Sequence, residues 1–397
     1  MKILHVSSYY MDGMGYQENG LTKFQARNLG NEGKVSIFTS ERNFPFKNYD
    51  RTYLSKLGPR IRKNTEKKII DCVDIIQKKP VFESAKRAAC IFSPFDIAKV
   101  FKDTKPDVVH LHGATNLNFL SVLLFCFLYK SRLFIDCHAD ENNSNVNSKF
   151  NLFYYKVFRV LYRIFDSKID GFITVAPSCT DYLKKYFKIN ENKITFAPLC
   201  FDSDIMKLDS DIANRIKRAH SIPDNAVCFG YFGKISPEKD VLESLMIFLN
   251  YLKLYGNEHF FFLVGDGEPS YVDIIERFIV ENNIEHNVIK LPLLSSQELA
   301  GYFNICDFCF WLGTASNSIQ ESMACGVIPI FSKKLVTPFL LVDERQVLPV
   351  DNLLYSATIL NDLLLIDNRR EILASYSLEN FSWDISAKLH IKLYKGQ

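Results

Sequence analysis

Lys234 and Lys239 stand five positions apart in the segment GYFGKISPEKD, 230–240, where an apolar run ends at Gly233. Two cations so placed, beside the start of a helix, form a clamp for a diphosphate. Such a clamp is useful when the diphosphate is a leaving group, because negative charge accumulates on it as its bond to carbon breaks. A second segment, GTASNSIQESMACG, 313–326, carries the capping residues Ser316, Asn317 and Ser318, with the carboxylate Glu321 three positions after Ser318. Two accounts of Glu321 stand side by side. In one it closes a capping box on its own helix start. In the other the helix N-terminus receives phosphate, and the two oxygens of Glu321 take both hydroxyl protons of a ribose diol.

The histidines form a second group. His110 and His112, in DVVHLHG at 107–113, fall on one face of a strand by the two-residue period. His112 ends that strand on the side where α/β folds bind ligands, which makes it the functional candidate and leaves His110 structural. His138, in DCHADENN, ends the neighbouring strand, and with Asp140 and Glu141 it is placed to contact a hydroxyl-rich acceptor. GMGYQENG, 13–20, follows the first strand where a dinucleotide enzyme carries GxGxxG, but Glu18 stands in place of the third glycine. A carboxylate there repels a pyrophosphate, so no NAD site is expected. Gly13 and Gly15 still let backbone amides approach an anion or a sugar. The DSD triplets at 202–204 and 209–211 lie in a linker rather than at a strand end, which argues against a metal. Cys306 and Cys309 form a lone CxxC in an apolar run and read as buried strand cysteines, not a zinc site.

These residues need a frame, and the chain supplies one by alternation. KILHVSS (2–8), VSIFTS (35–40), DVVHLHG (107–113), RLFIDCH (132–138), GFITV (171–175) and KITFA (193–197) read as strands, with a helix over about 19–31 and further helical stretches between the later strands. The pattern restarts after PLCFDSD (198–204) and a charged helix near 208–220. AVCFGYFG (226–233), FFFLVGDG (260–267), NVIKLPL (287–293), FCFWLG (308–313) and VIPIF (327–331) follow. Strand and helix in alternation imply parallel sheets wound by right-handed crossovers. The expected fold is α/β: two Rossmann-like doubly wound domains, 1–203 and 204–380, facing across a cleft, with the amphipathic segment 381–397 returning to the first. Residues 41–95, including the basic segment 60–68, show no clean period and read as inserted loops and helices.

Bulk properties narrow the class. The 397 residues are 47% apolar with a net charge of +3, which excludes a disordered chain and gives no electrostatic case for nucleic acid. Ten scattered cysteines suit a reducing cytoplasm. The longest apolar run, FLSVLLFCFLY at 119–129, is shorter than the ~20 residues of a membrane span.

Taken in order, GMGYQENG, HLHG at 110–113, PLCFDSD, FGKISPEKD, GDGE at 265–268, QESMACGVIPI at 320–330 and FSW at 381–383 resemble the landmarks of the GT-B glycosyltransferases of family 4 (group 1). The resemblance covers nearly all of the chain; QESMACG–IPI and FGK–PEK are its specific parts. It implies transfer of a sugar with retention, no required metal or cofactor, donor binding mostly by the C-terminal domain and acceptor binding by the N-terminal one. It places Lys234 and Lys239 on the donor diphosphate, Glu321 on the ribose and His112 near the reacting sugar. It further implies a donor site completed by Gly13, Gly15, Gly233, Gly265, Leu293, Thr314, Ser316 and Asn317, with His138 and Asp140 on the acceptor side. Two departures stand out. Lys234 replaces a frequent arginine and loses its bidentate fork. Gly313 stands where the first Glu of the family's E-x7-E pattern is usual.

The helix KFNLFYYKVFRVLYRIF, 149–165, carries Lys156, Arg159 and Arg163 at helical spacing among aromatic residues, a pattern suited to an anionic membrane interface. The resulting expectation is a retaining glycosyltransferase using a nucleotide-diphosphate sugar and a glycan acceptor, lipid-linked, in bacterial surface polysaccharide synthesis. It would be cytoplasmic and peripheral on the inner face of the membrane. The rivals are a catalytically impaired sugar-nucleotide-binding partner of another transferase, with Gly313 as its mark, and a GT-B epimerase.

Overall fold

The computed structural model describes residues 1–46, 49–62, 68–85, 88–141, 143–335 and 338–397, without the side chains of 51, 52, 55 and 56. The chain divides into two compact units: Met1–Leu199 with Trp383–Gln397, and Cys200–Ser382.

The first unit is built on strands β1 (Lys2–Val6), β2 (Lys34–Ser40), β3 (Lys68–Ile70), β4 (Val73–Lys78), β5 (Phe82–Ser84), β6 (Ala89–Ile91), β7 (Val108–Leu111), β8 (Arg132–Cys137), β9 (Gly171–Thr174) and β10 (Ile194–Phe196). Eight of them form one sheet in the order β10-β9-β8-β7-β1-β2-β4-β3, parallel apart from the β3–β4 pair. Parallel strands are covered by helices on both faces, so their residues read as continuous apolar runs; β7 and β9 are buried at every position. The strand order runs one way from β1 through β2 to β4 and the other way from β7 to β10. The switch point therefore falls between β1 and β7, where open α/β sheets bind ligands.

The second unit repeats the device with β11 (Cys228–Phe232), β12 (Phe260–Val264), β13 (Val288–Leu291), β14 (Phe308–Trp311), β15 (Ile328–Ser332) and β16 (Val347–Leu348). All are parallel, in the order β13-β12-β11-β14-β15-β16, and the switch point lies between β11 and β14. Local signals start the helices. Asp209 accepts the Ile212 N–H to cap Ser210–Ala219, and Ser295 forms a full capping box with Glu298 ahead of Ser296–Ile305.

The segment 41–95 departs from expectation. Beyond two short helical turns it holds β4, which extends the sheet beside β2, the antiparallel β3, and a separate β5–β6 hairpin. Val73 and Ile75 are buried in β4, but the charged residues around them break the long apolar run that marks a central strand. Most of the basic segment, 63–67, lies outside the described residues. Of its flanks, Arg60 donates to Glu83 at 2.6 Å and Arg62 to the Tyr10 carbonyl at 2.8 Å, so both are engaged within the unit.

The expected final helix forms over Trp383–Lys395 and is separated by the extended residue Ser382 from a preceding helix, Arg369–Phe381. The second packs on Gln17–Leu29 in the first unit. Its anchor is Trp383, 1% exposed, seated over Gly20, where an added Cβ would stand 2.0 Å from the indole nitrogen. Trp383→Ala should therefore cost about 3–5 kcal/mol of stability, read by chemical denaturation.

Candidate active site

In the second unit, the loops leaving β11, β12 and β14 converge at the switch point. They pack main chain against main chain. Gly265 has φ 135°, and a Cβ there would lie 1.9 Å from the Gly233 carbonyl oxygen, so only glycine allows the two loops this approach. The Ile235 N–H donates to the Asp266 carbonyl at 2.9 Å and holds them together. Next to them a cavity of about 230 Å³ is lined by Ile235, Gly265, Asp266, Lys290 and Pro292; Leu293 follows in the same loop.

Lys234 is exposed and lies 3.4 Å from Glu238. Lys239 sits in the turn Pro237–Lys239, ahead of the helix Val241–Tyr255 rather than opening it, and donates to the Ala315 carbonyl at 3.3 Å. Burial lowers the pKa of Lys239, and Lys234 lowers it further, against an opposing pull from Glu238. The two ammonium groups thus share a field that an anion would relieve.

Gly313 faces the same turn. A Cβ on it would meet the Glu238 carbonyl oxygen at 2.2 Å. Backbone occupies the space that a carboxylate side chain at 313 would need to leave the main chain. Beyond it, Ser316 Oγ accepts from Trp311 Nε1 at 3.1 Å and is hydrogen-bonded to Ser318 Oγ. The helix Ser318–Ala324 has only seven residues, so its start offers a few free N–H groups rather than a large dipole. Asn317 is its N-cap, and no side chain caps it. The capping-box account of Glu321 is therefore not what forms. Its carboxylate makes no hydrogen bond or salt bridge among the described residues and is 8% exposed. Burial, with help from Asp202, raises its pKa to about 7.

In the first unit, strand pairing sets His5 of β1 opposite His110 of β7, and His112 follows at the end of β7. The His110 and His112 rings stack with centroids 4.5 Å apart. Both face Asp136 of β8, which is fully buried: Oδ2 lies 2.6 Å from His112 Nδ1 and 3.1 Å from His110 Nε2, while Oδ1 accepts the Gly113 N–H at 2.6 Å. Burial pushes the Asp136 carboxyl up, but His112, His138 and these hydrogen bonds outweigh it and hold it well below the usual range. For His112, burial pulls the imidazole down and the Asp136 charge overcomes it, so the net shift is upward. His138 is exposed at the rim, hydrogen-bonded to Gln17, and 3.6 Å from Asp136. Asp140 is half-buried, accepts from Ser178 at 3.0 Å and closes a turn with Asn143. Glu141 pairs with Lys185 and Tyr186. Gly13 and Gly15 lie in the loop after β1, Gly13 with φ 72°.

Residues 25–205 match the family model described as Glycosyltransferase Family 4. Over 100% of both chains the structure matches that of Anabaena HepE in complex with UDP, at 15% identity and a TM-score of 0.68. A glycosyltransferase from Rickettsia africae matches at 15% identity and a TM-score of 0.69, over 100% of this chain and 98% of that one. WaaG, described as a glycosyltransferase involved in lipopolysaccharide biosynthesis, matches at 9% identity and a TM-score of 0.62 over 100% of both. No curated protein sequence matches the chain. The chain has the GT-B fold, and the family match falls mostly within its first unit.

Within that GT-B fold the residues expected from sequence fall into two groups. Lys234, Lys239, Gly233, Gly265, Thr314, Ser316, Asn317 and Glu321 belong to neighbouring loops or helix starts of the second unit, at its switch point. His112 and His138 gather around Asp136 in the first, while Asp140 lies further along the loop after β8. Sequence reasoning missed Asp136, His5, Gln25, His390 and Tyr394. The signal for Asp136 was an acid inside an otherwise apolar strand, LFIDC, where a charge is kept only if it has partners.

The raised pKa of Glu321 carries a stability sign. Its folded value of about 7 lies above the ordinary 4.5, so the folded state binds more protons between those values. Stability is therefore lost as pH rises across that window and stays lost above it. Glu321→Gln should raise the apo protein's stability at pH 8 by roughly 3 kcal/mol. The gain should vanish near pH 4, as thermal melts across pH would read.

Proposed function

We propose that the protein is a metal-independent, retaining glycosyltransferase that moves a hexose or N-acetylhexosamine from a nucleotide-diphosphate sugar to a glycan acceptor. The single observation that carries this reading is the placing, at one switch point, of two lysines and a buried carboxylate that has no partner among the described residues. The lysines take a diphosphate, and Glu321 takes the hydroxyl protons of a ribose. The cavity beside Gly265 offers room for part of the nucleotide. HepE, whose structures contain UDP and UDP-glucose, supports a donor of this class.

The reaction balances without a protein base. The bond from the sugar's anomeric carbon to the diphosphate oxygen breaks, and the acceptor oxygen bonds to that carbon from the same face. The acceptor's hydroxyl proton passes to the departing phosphate oxygen. Lys234 and Lys239 stabilise the charge that develops on the leaving group. Gly13, Gly15 and His112 shape the transfer site, and His138 and Asp140 line the acceptor side.

The acceptor is polyprenol-linked, as surface polysaccharide assembly on the cytoplasmic face of a bacterial membrane requires. Support comes from the helix Lys149–Ile164. It buries Tyr155, Phe158 and Tyr162 and exposes Phe150, Phe153, Val160 and Ile164, with Lys156, Arg159 and Arg163 alongside. The neighbouring helix Phe119–Tyr129 exposes Leu120, Leu124, Phe127 and Leu128, and its Phe119 packs 5.2 Å from Tyr162. An apolar stripe flanked by cations suits a bilayer carrying anionic lipid. No helix among the described residues is long and apolar enough to cross a membrane.

Gly313 favours one second reading, a binding partner without turnover, because the usual acid is excluded there by backbone rather than merely absent. Nucleotide release decides between them. The purified protein, given UDP-, GDP- and ADP-sugars with and without lipid-linked oligosaccharide, should release nucleotide from one donor in a lipid-dependent way. Glu321→Ala should lose at least ~100-fold in kcat/KM, the equivalent of about 2.7 kcal/mol. Nucleotide binding without release from any donor would leave the binding-partner reading standing.

Vesicles test the surface separately. Cosedimentation should rise with the fraction of anionic lipid, fall with salt, and fall about tenfold or more in Phe153→Asp combined with Arg159→Glu, each removed charge weakening attachment by about 1 kcal/mol.

A further inference from the structure

The hydrogen bonds around His112 fix its proton count. Gln25 Oε1 can only accept, so His5 Nε2, 2.7 Å away, carries a hydrogen. His5 is fully buried against the rings of His110 and His112, 5.0 and 5.2 Å away, where a second charge is disfavoured, so its Nδ1 is bare. His112 Nε2 lies 3.0 Å from that bare nitrogen, and the proton between them belongs to His112. On the other side, His112 Nδ1 stands 2.6 Å from a carboxylate oxygen of Asp136. Two lone pairs at that distance would repel, so this nitrogen is protonated as well. Its hydrogen points off the line to the oxygen, which makes the contact an ion pair more than a straight hydrogen bond. His110 differs. Its Nε2 donates to Asp136 at 3.1 Å and its Nδ1 accepts the Tyr394 hydroxyl at 2.5 Å, which describes a neutral ring.

We propose that His112 is a fixed imidazolium, and that His5 and Asp136 are the positioning residues that lock both of its protons. His112 then stands at the end of β7 as a permanent cation with no nitrogen free to transfer a proton. It acts on whatever lies there through charge and shape. This goes beyond the transferase reading and does not depend on it.

The groups facing His112 from each packed element favour its charge apart from His138, which Asp136 also raises and which repels His112. His5 comes from β1 and His110 from its own strand. Asp136 and His138 come from β8 and its end, Glu18 from the helix Gln17–Leu29, and His390 and Tyr394 from the helix Trp383–Lys395. Asp136 and Glu18 favour the cation. His5, His110 and His390 are each shifted downward, so burial keeps them neutral and they withhold competing charge.

The ligand atoms of His110, His112 and Asp136 lie within 4.8 Å of one another, close enough to share a divalent cation. The 2.6 Å separation of His112 Nδ1 and the Asp136 oxygen is shorter than two ligands of one ion would keep, and fits direct contact between a protonated imidazole and a carboxylate.

Histidine-detected ¹H–¹⁵N NMR of the full chain, from pH 5.5 to 9, tests the proposal directly. Both His112 nitrogens should stay protonated through pH 8, while His5 shows the Nε2–H tautomer and His110 a neutral ring. His5→Phe removes the acceptor and should bring the His112 transition down by at least one pH unit. His5→Asn, which returns an acceptor at the Nδ1 position, should restore it. A bare His112 nitrogen at pH 7 in the wild-type protein would overturn the proposal without recourse to any variant, as would one equivalent of a divalent metal co-purifying with the protein and lost on Asp136→Asn. An unshifted His112 in a folded His5→Phe protein would remove His5 from the assignment.

Discussion

The Asp136 carboxylate is the fixed point of the first unit. It has no exposed surface, so it must be neutralised where it stands, and removing one partner of such a buried pair costs about 3–5 kcal/mol. The parallel register supplies the partners: β7 brings His110 and His112, and the Gly113 N–H closes the remaining oxygen. His5 enters from β1 behind them, and Gln25 enters from the first helix behind His5. The last helix of the chain joins through Tyr394, whose hydroxyl completes His110, and through His390, stacked 5.8 Å from His110. A segment nearly four hundred residues from the start is thus held by the same charge as the first strand. Moving any of these elements would expose or orphan a member of the network, so the polar interior specifies register as well as electrostatics.

The second unit solves a different problem by different means. Its loops meet through backbone, at Gly265 against Gly233 and at Gly313 against Glu238, and side chains are excluded from the contacts. That closeness leaves peptide N–H groups and two lysines at the switch point with little intervening bulk. It also explains the missing acid. With the 236–239 turn pressed onto position 313, the site cannot regain a carboxylate there by substitution alone, because the Cβ itself has no room. Any account of the chemistry must do without it.

Much of the frame was legible because strands buried on both faces cannot hide: KILHV, RLFIDC, CFGYF and FCFW announce themselves by composition. β3 to β6 did not, being short, peripheral and broken by charge. At the site, Lys234, Lys239 and Glu321 were legible because they fall close together in sequence, on one turn or one helix start. The Asp136 network was not. His5, Gln25, Asp136 and Tyr394 become neighbours only through strand order and the return of the final helix, information that no local period contains. The same limit applied to Glu321. Its spacing from Ser318 fits a capping box and a ligand-binding carboxylate equally, and only the observed helix start, with no side-chain cap, separates them.

A site with one carboxylate is chemically coherent if its perturbed groups are read together. Lys239 is a cation whose burial disfavours its charge, and Lys234 adds to that cost. Glu321 is an anion disfavoured for the same reason, with Asp202 adding to it. The two are destabilised in opposite senses, one for want of negative charge and one for want of hydrogen-bond donors. Structural ion pairs resolve such tensions by pairing with each other, yet among the described residues Glu321 has no hydrogen-bond or ion-pair partner and Lys239 reaches only a backbone carbonyl. The proposed donor, with a diphosphate at one end of a ribose, would supply both missing interactions at once and relieve that tension. In the proposed reaction the leaving diphosphate itself accepts the proton, so that proposal asks no further acid or base of the second unit. What it does ask is positive charge at the departing oxygen, the role it gives to these two lysines.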